Sequence, residues 1–240
     1  MMPRNSQGLG YDRAISTFSP EGRLYQVEYA LEAVRRGTLA VGAKCSEGAV
    51  LVVQKKLPSP LMDPETINKI YQLDQHMGCA ISGLHADARV LVDYARVQAQ
   101  VYRLTYDEPM RLLALIKKLA DVAQLYTQHA AARPFGCALL SISVDQDGPM
   151  LMTTDPSGTY RSWKATGMGE NETGARDYLS KNYDDNMSLL DIEVLACKAL
   201  TSTLDESFDK TKLEIALVNV EEKQFRSATA DEFQRVQDQL

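Results

Sequence analysis

Leu24, Val27, Leu31 and Val34 recur at three- and four-residue steps and therefore share one face of a helix, predicted over about 23–36. Arg35 and Arg36 complement the negative end of its dipole, and Gly37 suits a left-handed stop. Its start has two solutions: Ser19 caps it with Pro20 in the first turn, or Pro20 and Gly22 form a separate turn before Arg23. With so short an apolar stripe, a neighbouring subunit is as good a packing partner as the chain's own core. The period then changes. Residues 38–44 alternate, Cys45-Ser46-Glu47-Gly48 has turn composition, and 49–54 is an apolar strand, together predicting a hairpin. After a loop with Pro58, Pro60 and Pro64, short strands are expected near 70–73 and 79–82.

Two long helices follow. The first is predicted over about 86–104 with Val90, Tyr94, Val97, Val101 and Leu104 on its stripe. The second is predicted from Pro109, a good first-turn residue, to about 129, with Leu112, Ile116, Leu119, Ala123 and Tyr126 on its stripe. Strands return at 136–144, 150–154 and 159–165, then helices near 170–183 and 189–204. Strands at 213–218 and 224–227 precede a last helix near 231–239. Grouped strands separated by paired helices predict α+β layers rather than alternating βαβ units. No Gly/Ser/Pro-rich tract divides the chain, so the expectation is a flexible arm at 1–12 and a single domain at 13–240.

Composition narrows the function. The chain has 240 residues, 45% hydrophobic and 24% charged, which suits an ordinary globular domain with a substantial core. A net charge of −6 argues against nucleic-acid binding. No apolar run approaches the roughly 20 residues that span a bilayer, and residues 1–10 lack the apolar segment of a secretory signal. No membrane is expected, and the expected location is the cytoplasm. Cys45, Cys79, Cys137 and Cys197 are scattered without a C-x-x-C pair; Cys79 and Cys137 sit in apolar runs and suit buried thiols in a reducing compartment. His76, His85 and His129 lack metal-ligand spacing, so neither metal nor cofactor is expected.

The segments Tyr11-Asp12-Arg13, Phe18-Ser19-Pro20-Glu21-Gly22-Arg23-Leu24 and Gln26-Val27-Glu28-Tyr29-Ala30 closely resemble the N-terminus of proteasome α-type subunits, the archaeal kind above all. The resemblance continues through Ser82-Gly83-Leu84, Ala86-Asp87-Ala88-Arg89, Arg133-Pro134-Phe135-Gly136 and Asp155-Pro156-Ser157-Gly158. It implies the four-layer αββα sandwich of N-terminal-nucleophile hydrolases, with an extra N-terminal helix. It also implies a seven-membered ring of α subunits stacked on catalytic β subunits, an ATP-dependent unfoldase or activator ring that docks on it, and unfolded protein substrates in transit.

The β-type relatives in this family use a threonine hydroxyl activated by its own free amine, with a carboxylate and a lysine assisting. Aligned on Val41-Gly42 and on 70–74, Thr38 falls at the nucleophile, Lys69 at the lysine, and Gln54 where the acid should stand. A neutral amide cannot balance the lysine and amine, so a non-catalytic subunit with no catalytic residue is expected. An active threonine hydrolase is the alternative. The arm, fully extended, reaches roughly 40 Å at about 3.3 Å per residue, and the resemblance implies that it closes an axial pore, with Tyr11, Asp12, Arg13, Pro20 and Tyr29 governing the gate. It further implies that Lys69 receives the C-terminal carboxylate of an activator tail, with Gly83 letting backbone amides approach. The Arg133–Gly136 and Asp155–Gly158 motifs are expected to be a strand start and a hairpin turn.

Overall fold

The computed structural model describes residues 16–55, 61, 63, 68–129, 132–204 and 213–240. The arm, Tyr11, Asp12, Arg13 and most of the proline-containing loop lie outside the described residues. Two five-stranded antiparallel sheets form the centre. One runs β10 (Arg226–Ser227), β9 (Leu213–Asn219), β2 (Gly48–Gln54), β1 (Ala40–Lys44), β8 (Ala165–Met168). The other runs β3 (Ile70–Asp74), β4 (Met77–Gly83), β5 (Cys137–Asp145), β6 (Gly148–Thr154), β7 (Tyr160–Ser162).

Alternation along the strands assigns the layers. In β2, Ala49, Leu51 and Val53 face the second sheet, where they meet Leu140, Ile142 and Leu151. Val50 and Val52 point the other way, into a cluster with Ile192, Ala196 and Leu200 of α5 (Leu189–Thr201) and Leu179 of α4 (Glu172–Asn182). The second sheet's outer face packs Cys79, Ile81 and Leu139 against α2 (His85–Tyr106) and α3 (Leu112–Tyr126). The result is the αββα sandwich. α1 (Tyr25–Arg35) stands outside these layers and touches β4 and β5, with Val34 reaching the inter-sheet core. The last helix, α6 (Ala230–Gln237), is held by a capping box in which Thr229 and Glu232 exchange hydrogen bonds, and by Val236 and Phe233 on the first sheet's helix layer.

Several sequence expectations shift. α1 begins at Tyr25, because Ser19–Gly22 makes its own turn: Gly22 N donates to Ser19 O at 2.8 Å and Ser19 N to Arg23 O at 2.9 Å. Ser19 therefore caps that turn, its hydroxyl accepting from Arg23 N at 3.1 Å. Gly37 is not the left-handed stop; the helix ends on Arg36 in right-handed geometry. α3 begins at Leu112, not at Pro109, because Asp145 Oδ2 accepts from Leu112 N at 3.1 Å and anchors the first turn there.

All of the stripe assigned to α2 except Tyr94, which packs against the core's edge, faces away from the core. Val90, Val97, Val101 and Leu104 are exposed, while Ala88, Leu91, Val92, Ala95 and Ala99 are buried. Alanines let the helix lie close on the sheet, and the bulkier residues are left on the outer flank. The strand expected at 159–165 is two strands in different sheets. The chain crosses over at Trp163 and Lys164, where Trp163 N donates to Leu151 O and Lys44 N to Lys164 O, each at 2.9 Å. The Asp155–Gly158 segment is the expected turn, with Asp155 Oδ1 accepting from Ser157 N at 2.8 Å and Gly158 at φ +80°. All four cysteines are buried free thiols, and burial pushes Cys79 and Cys137 up to about 12.

Candidate functional site

Antiparallel pairing brings the ends of strands far apart in sequence to one end of the sandwich. Ala40 at the start of β1 lies opposite Val53 near the end of β2 and Met168 at the end of β8. Gln54 lies opposite Leu213 at the start of β9. In the other sheet the start of β3 and the end of β4 meet the start of β5, with Gly83 opposite Cys137. Thr38, Gln54, Lys69, Gly83 and Glu214 thus share this end, and α1 runs up to it.

Two glycines make the junction. A Cβ on Gly37 would stand 2.2 Å from Gly83 N, so the link from α1 to β1 crosses directly over the end of β4. Gly83 itself adopts φ +101°, and a Cβ there would meet Gly136 O at 2.2 Å. Ser82 Oγ lies 3.1 Å from Val34 O and 3.3 Å from Thr38 O, tying the helix end to the same place. Gly37 is therefore needed for close approach, a requirement that only the partner backbone reveals.

The residues singled out in the sequence are brought together in part. Lys69, immediately before β3, is only 5% exposed, and its carbonyl accepts from Ile81 N at 3.1 Å. Gly83 is at the adjoining end of β4. Tyr29 is more than half exposed on α1 and stacks on Tyr25 with ring centroids 6.5 Å apart. It lines a cleft of about 240 Å³ with Gln26, Ala30, Leu84, Pro134 and Gly136. Pro20 is exposed in the turn before α1, next to Arg23, which pairs with Glu28 and lies 5.0 Å over the Tyr25 ring. The cleft floor is braced by Asp87, which accepts from Arg133 Nη2 at 2.9 Å and from Gly136 N at 2.8 Å. Arg133 holds the Asp87 carboxyl below the usual carboxylate range. His85, the first residue of α2, is pushed down by partial burial and by the charge of Lys69.

The hydrolase constellation is altered in a way that aligning motifs did not expose. Thr38 lies inside a continuous chain between α1 and β1, and among the described residues its buried Oγ1 has no hydrogen-bond partner, hence no base. Gln54 follows Val50 and Val52 in the alternation that faces α5, away from the inter-sheet side. A carboxylate from another strand stands at this same end of the sandwich. Glu214 of β9 lies opposite Val53, on the inter-sheet face, and feels the charges of Lys55 and Lys69. The charge balance at Lys69 thus cannot be judged from position 54 alone. A signal was present: Glu214 is the one acid in the apolar run Leu213-Glu214-Ile215-Ala216-Leu217-Val218.

Among the described residues, no group of three His, Cys, Asp or Glu side chains could hold a metal ion, and no helix is long and apolar enough to cross a membrane. Residues 34–218 match the family described as "Proteasome subunit", and residues 11–33 match the N-terminal signature of its A-type members. The chain is 48% identical over 223 residues to the proteasome alpha subunit of Thermococcus sibiricus, covering 93% of this chain and 85% of that protein. It is 47% identical over 226 residues to that of Pyrococcus horikoshii, covering 94% and 86%. It is 46% identical over 232 residues to that of Methanosarcina acetivorans, covering 97% and 94%.

Proposed function

The chain belongs to the proteasome subunit family as an α-type member, and from that premise we propose how it works in the assembly. It assembles with other proteasome subunits. In this reading seven α subunits close a ring on the β subunits, and the ring admits unfolded chains while excluding folded ones. Each protomer then presents two different complementary faces, as a closed heterologous ring requires. The chain cuts nothing itself: Thr38 has no free amine and, among the described residues, no base on its hydroxyl. The arm, residues 1–12, lies across the pore, with Tyr11, Asp12 and Arg13 at its base and Pro20 and Tyr29 as the contacts that shift on opening. The proposed setting is the cytoplasm.

The observation that carries the docking half is Lys69, an almost fully buried lysine at the sandwich end beside Gly83. An ammonium shielded from water pairs strongly with a carboxylate, which suits the C-terminus of a tail from an ATP-dependent activator ring. The turn at Gly83 leaves backbone within reach of that tail. The test uses assembled particles and a short fluorogenic peptide. Deleting residues 2–12 should raise hydrolysis without activator, and Lys69→Ala should abolish activator stimulation while leaving assembly intact. Equal hydrolysis with and without the arm would defeat the gate, and undiminished stimulation in Lys69→Ala would defeat the docking site.

A further inference from the structure

We propose that Arg23 is a positioning residue of the gate, coupling the exposed Pro20 turn to the Tyr29 ring through Tyr25. That the coupling acts on a gate rests on the gate reading; the coupling itself stands on the contacts alone. The first link closes the turn. Gly22 N donates to Ser19 O at 2.8 Å, Ser19 N donates to Arg23 O at 2.9 Å, and Arg23 N donates to Ser19 Oγ at 3.1 Å. Gly22 at φ +75° allows so tight a reversal. The turn thus closes on Arg23 and carries Pro20 on its exposed side. The second link fastens Arg23 to the helix. Arg23 Nε donates to Glu28 Oε1 at 2.7 Å and Nη2 donates to Glu28 Oε2, the fork a guanidinium makes with a carboxylate. Glu28 belongs to the first turn of α1, whose N-cap residue Leu24 gives no side-chain cap. The Arg23 side chain therefore ties the turn to a helix start that is otherwise uncapped.

The third link runs through the rings. Held by Glu28, the guanidinium lies 5.0 Å over the Tyr25 ring, and Tyr25 stacks on Tyr29 with centroids 6.5 Å apart. Both separations are those at which a cation and a ring, or two rings, attract. Tyr29 in turn lines the cleft with Leu84 and Pro134, and Leu84 directly follows Gly83. A continuous line of contacts thus joins the Pro20 turn to the end of the sandwich where Gly83 lies. The opposite face of α1 is anchored, since Val27, Ala30 and Val34 are buried, so displacement is confined to the outer side that carries these groups. Each outer contact is modest, because the Arg23 side chain is half exposed and that of Glu28 about one-third exposed. Such links pass on a displacement without welding the turn in place.

Two measurements on assembled particles test the proposal. The first is a double-mutant cycle on hydrolysis of a short fluorogenic peptide without activator. In the parent, the effects of Pro20→Ala and Tyr29→Leu should depart from simple multiplication by about fivefold, the scale of one exposed ion pair with one cation–π contact. In Arg23→Ala, and in Glu28→Gln, which keeps the shape of the side chain, the two effects should multiply within about twofold. Coupling of equal size in all three backgrounds, or none in the parent, overturns the proposal. The second measurement places a fluorotyrosine at position 29 and reads it by fluorine NMR. Pro20→Ala should displace that resonance in parent particles and leave it in place in Arg23→Ala; equal displacement in both overturns the link. A lowered Tm in Arg23→Ala with both couplings intact would mark Arg23 as merely structural and overturn it too. If deleting residues 2–12 fails to raise hydrolysis, the gate reading fails, while the fluorine displacement still decides whether Arg23 joins the turn to the ring.

Discussion

Two carboxylates, one buried and one half-buried with a buried oxygen, stand at opposite ends of the same sandwich and are treated in opposite ways. Asp74, at the far end of β3 from Lys69, has a side chain only 2% exposed and both oxygens engaged. Arg103 Nη2 from α2 donates to Oδ1 and Oδ2 at 3.0 Å each, and Gln75 N donates to Oδ1 at 2.8 Å. Beside it, His76 Nε2 lies 2.9 Å from Met110 O in the α2–α3 link. That cluster pins a strand turn to two helices. Glu214, at the Lys69 end, has an oxygen with no donor among the described residues, and burial pushes its carboxyl up, with the charges of Lys55 and Lys69 opposing. The contrast separates a carboxylate whose satisfied hydrogen bonds fix the fold from one whose burial is poorly compensated.

The comparison breaks first at Asp74. Asp74→Asn leaves Arg103 facing a neutral amide in a mostly buried site and should cost about 3–4 kcal/mol in urea unfolding, near the low end for a broken buried pair because Arg103 is about one-third exposed. A loss below about 1 kcal/mol would mean that the cluster is ornamental. Glu193 of α5 supplies an intermediate case. It is 4% exposed, and burial first, then the like charge of Glu232, push its carboxyl up to about 7, with Arg226 and Arg235 opposing. Its folded pKa lies above the unfolded value, so its contribution is complete below about pH 4.5 and is lost as pH rises through 7. Stability should therefore fall by about 2–3 kcal/mol between about pH 4.5 and 8 on this account, and Glu193→Gln should flatten that part of the Tm–pH curve. A slope unchanged by the substitution would remove Glu193 as its source. The smallest effect belongs to Glu214→Gln, which should change stability by less than about 1 kcal/mol in either direction, since it removes a poorly paired charge without changing shape. A loss matching that of Asp74→Asn would erase the distinction between the two ends.

Much of the fold was legible in periodicity. The β1–β2 hairpin, the strand pair β3–β4, and the existence of the six helices among the described residues follow from local pattern and turn residues. Failures came where the pattern was correct but its context was missing. The stripe Val90, Tyr94, Val97, Val101, Leu104 has helical spacing, yet α2 turns its alanine-rich side to the sheet, because burial rewards close approach as well as side-chain size. Residues 159–165 look like one strand because nothing local marks the switch between sheets at Trp163. Gly37 looked like a helix stop because the backbone it crosses, at Gly83, is far along the chain. Lys69 and Gly83 were singled out only through motif resemblance; neither carries a local mark of its neighbourhood.

What the amino-acid sequence alone determined is the family, the α-type N-terminal signature, and the order and kind of elements, since these depend on short-range spacing and on motifs whose residues lie close along the chain. Which strand ends meet and which face Glu214 takes were decided only by tertiary structure. Strand register and the packing of one sheet on the other bring β2, β3 and β9 to one place, and Coulomb interactions act through that distance in space rather than along the chain.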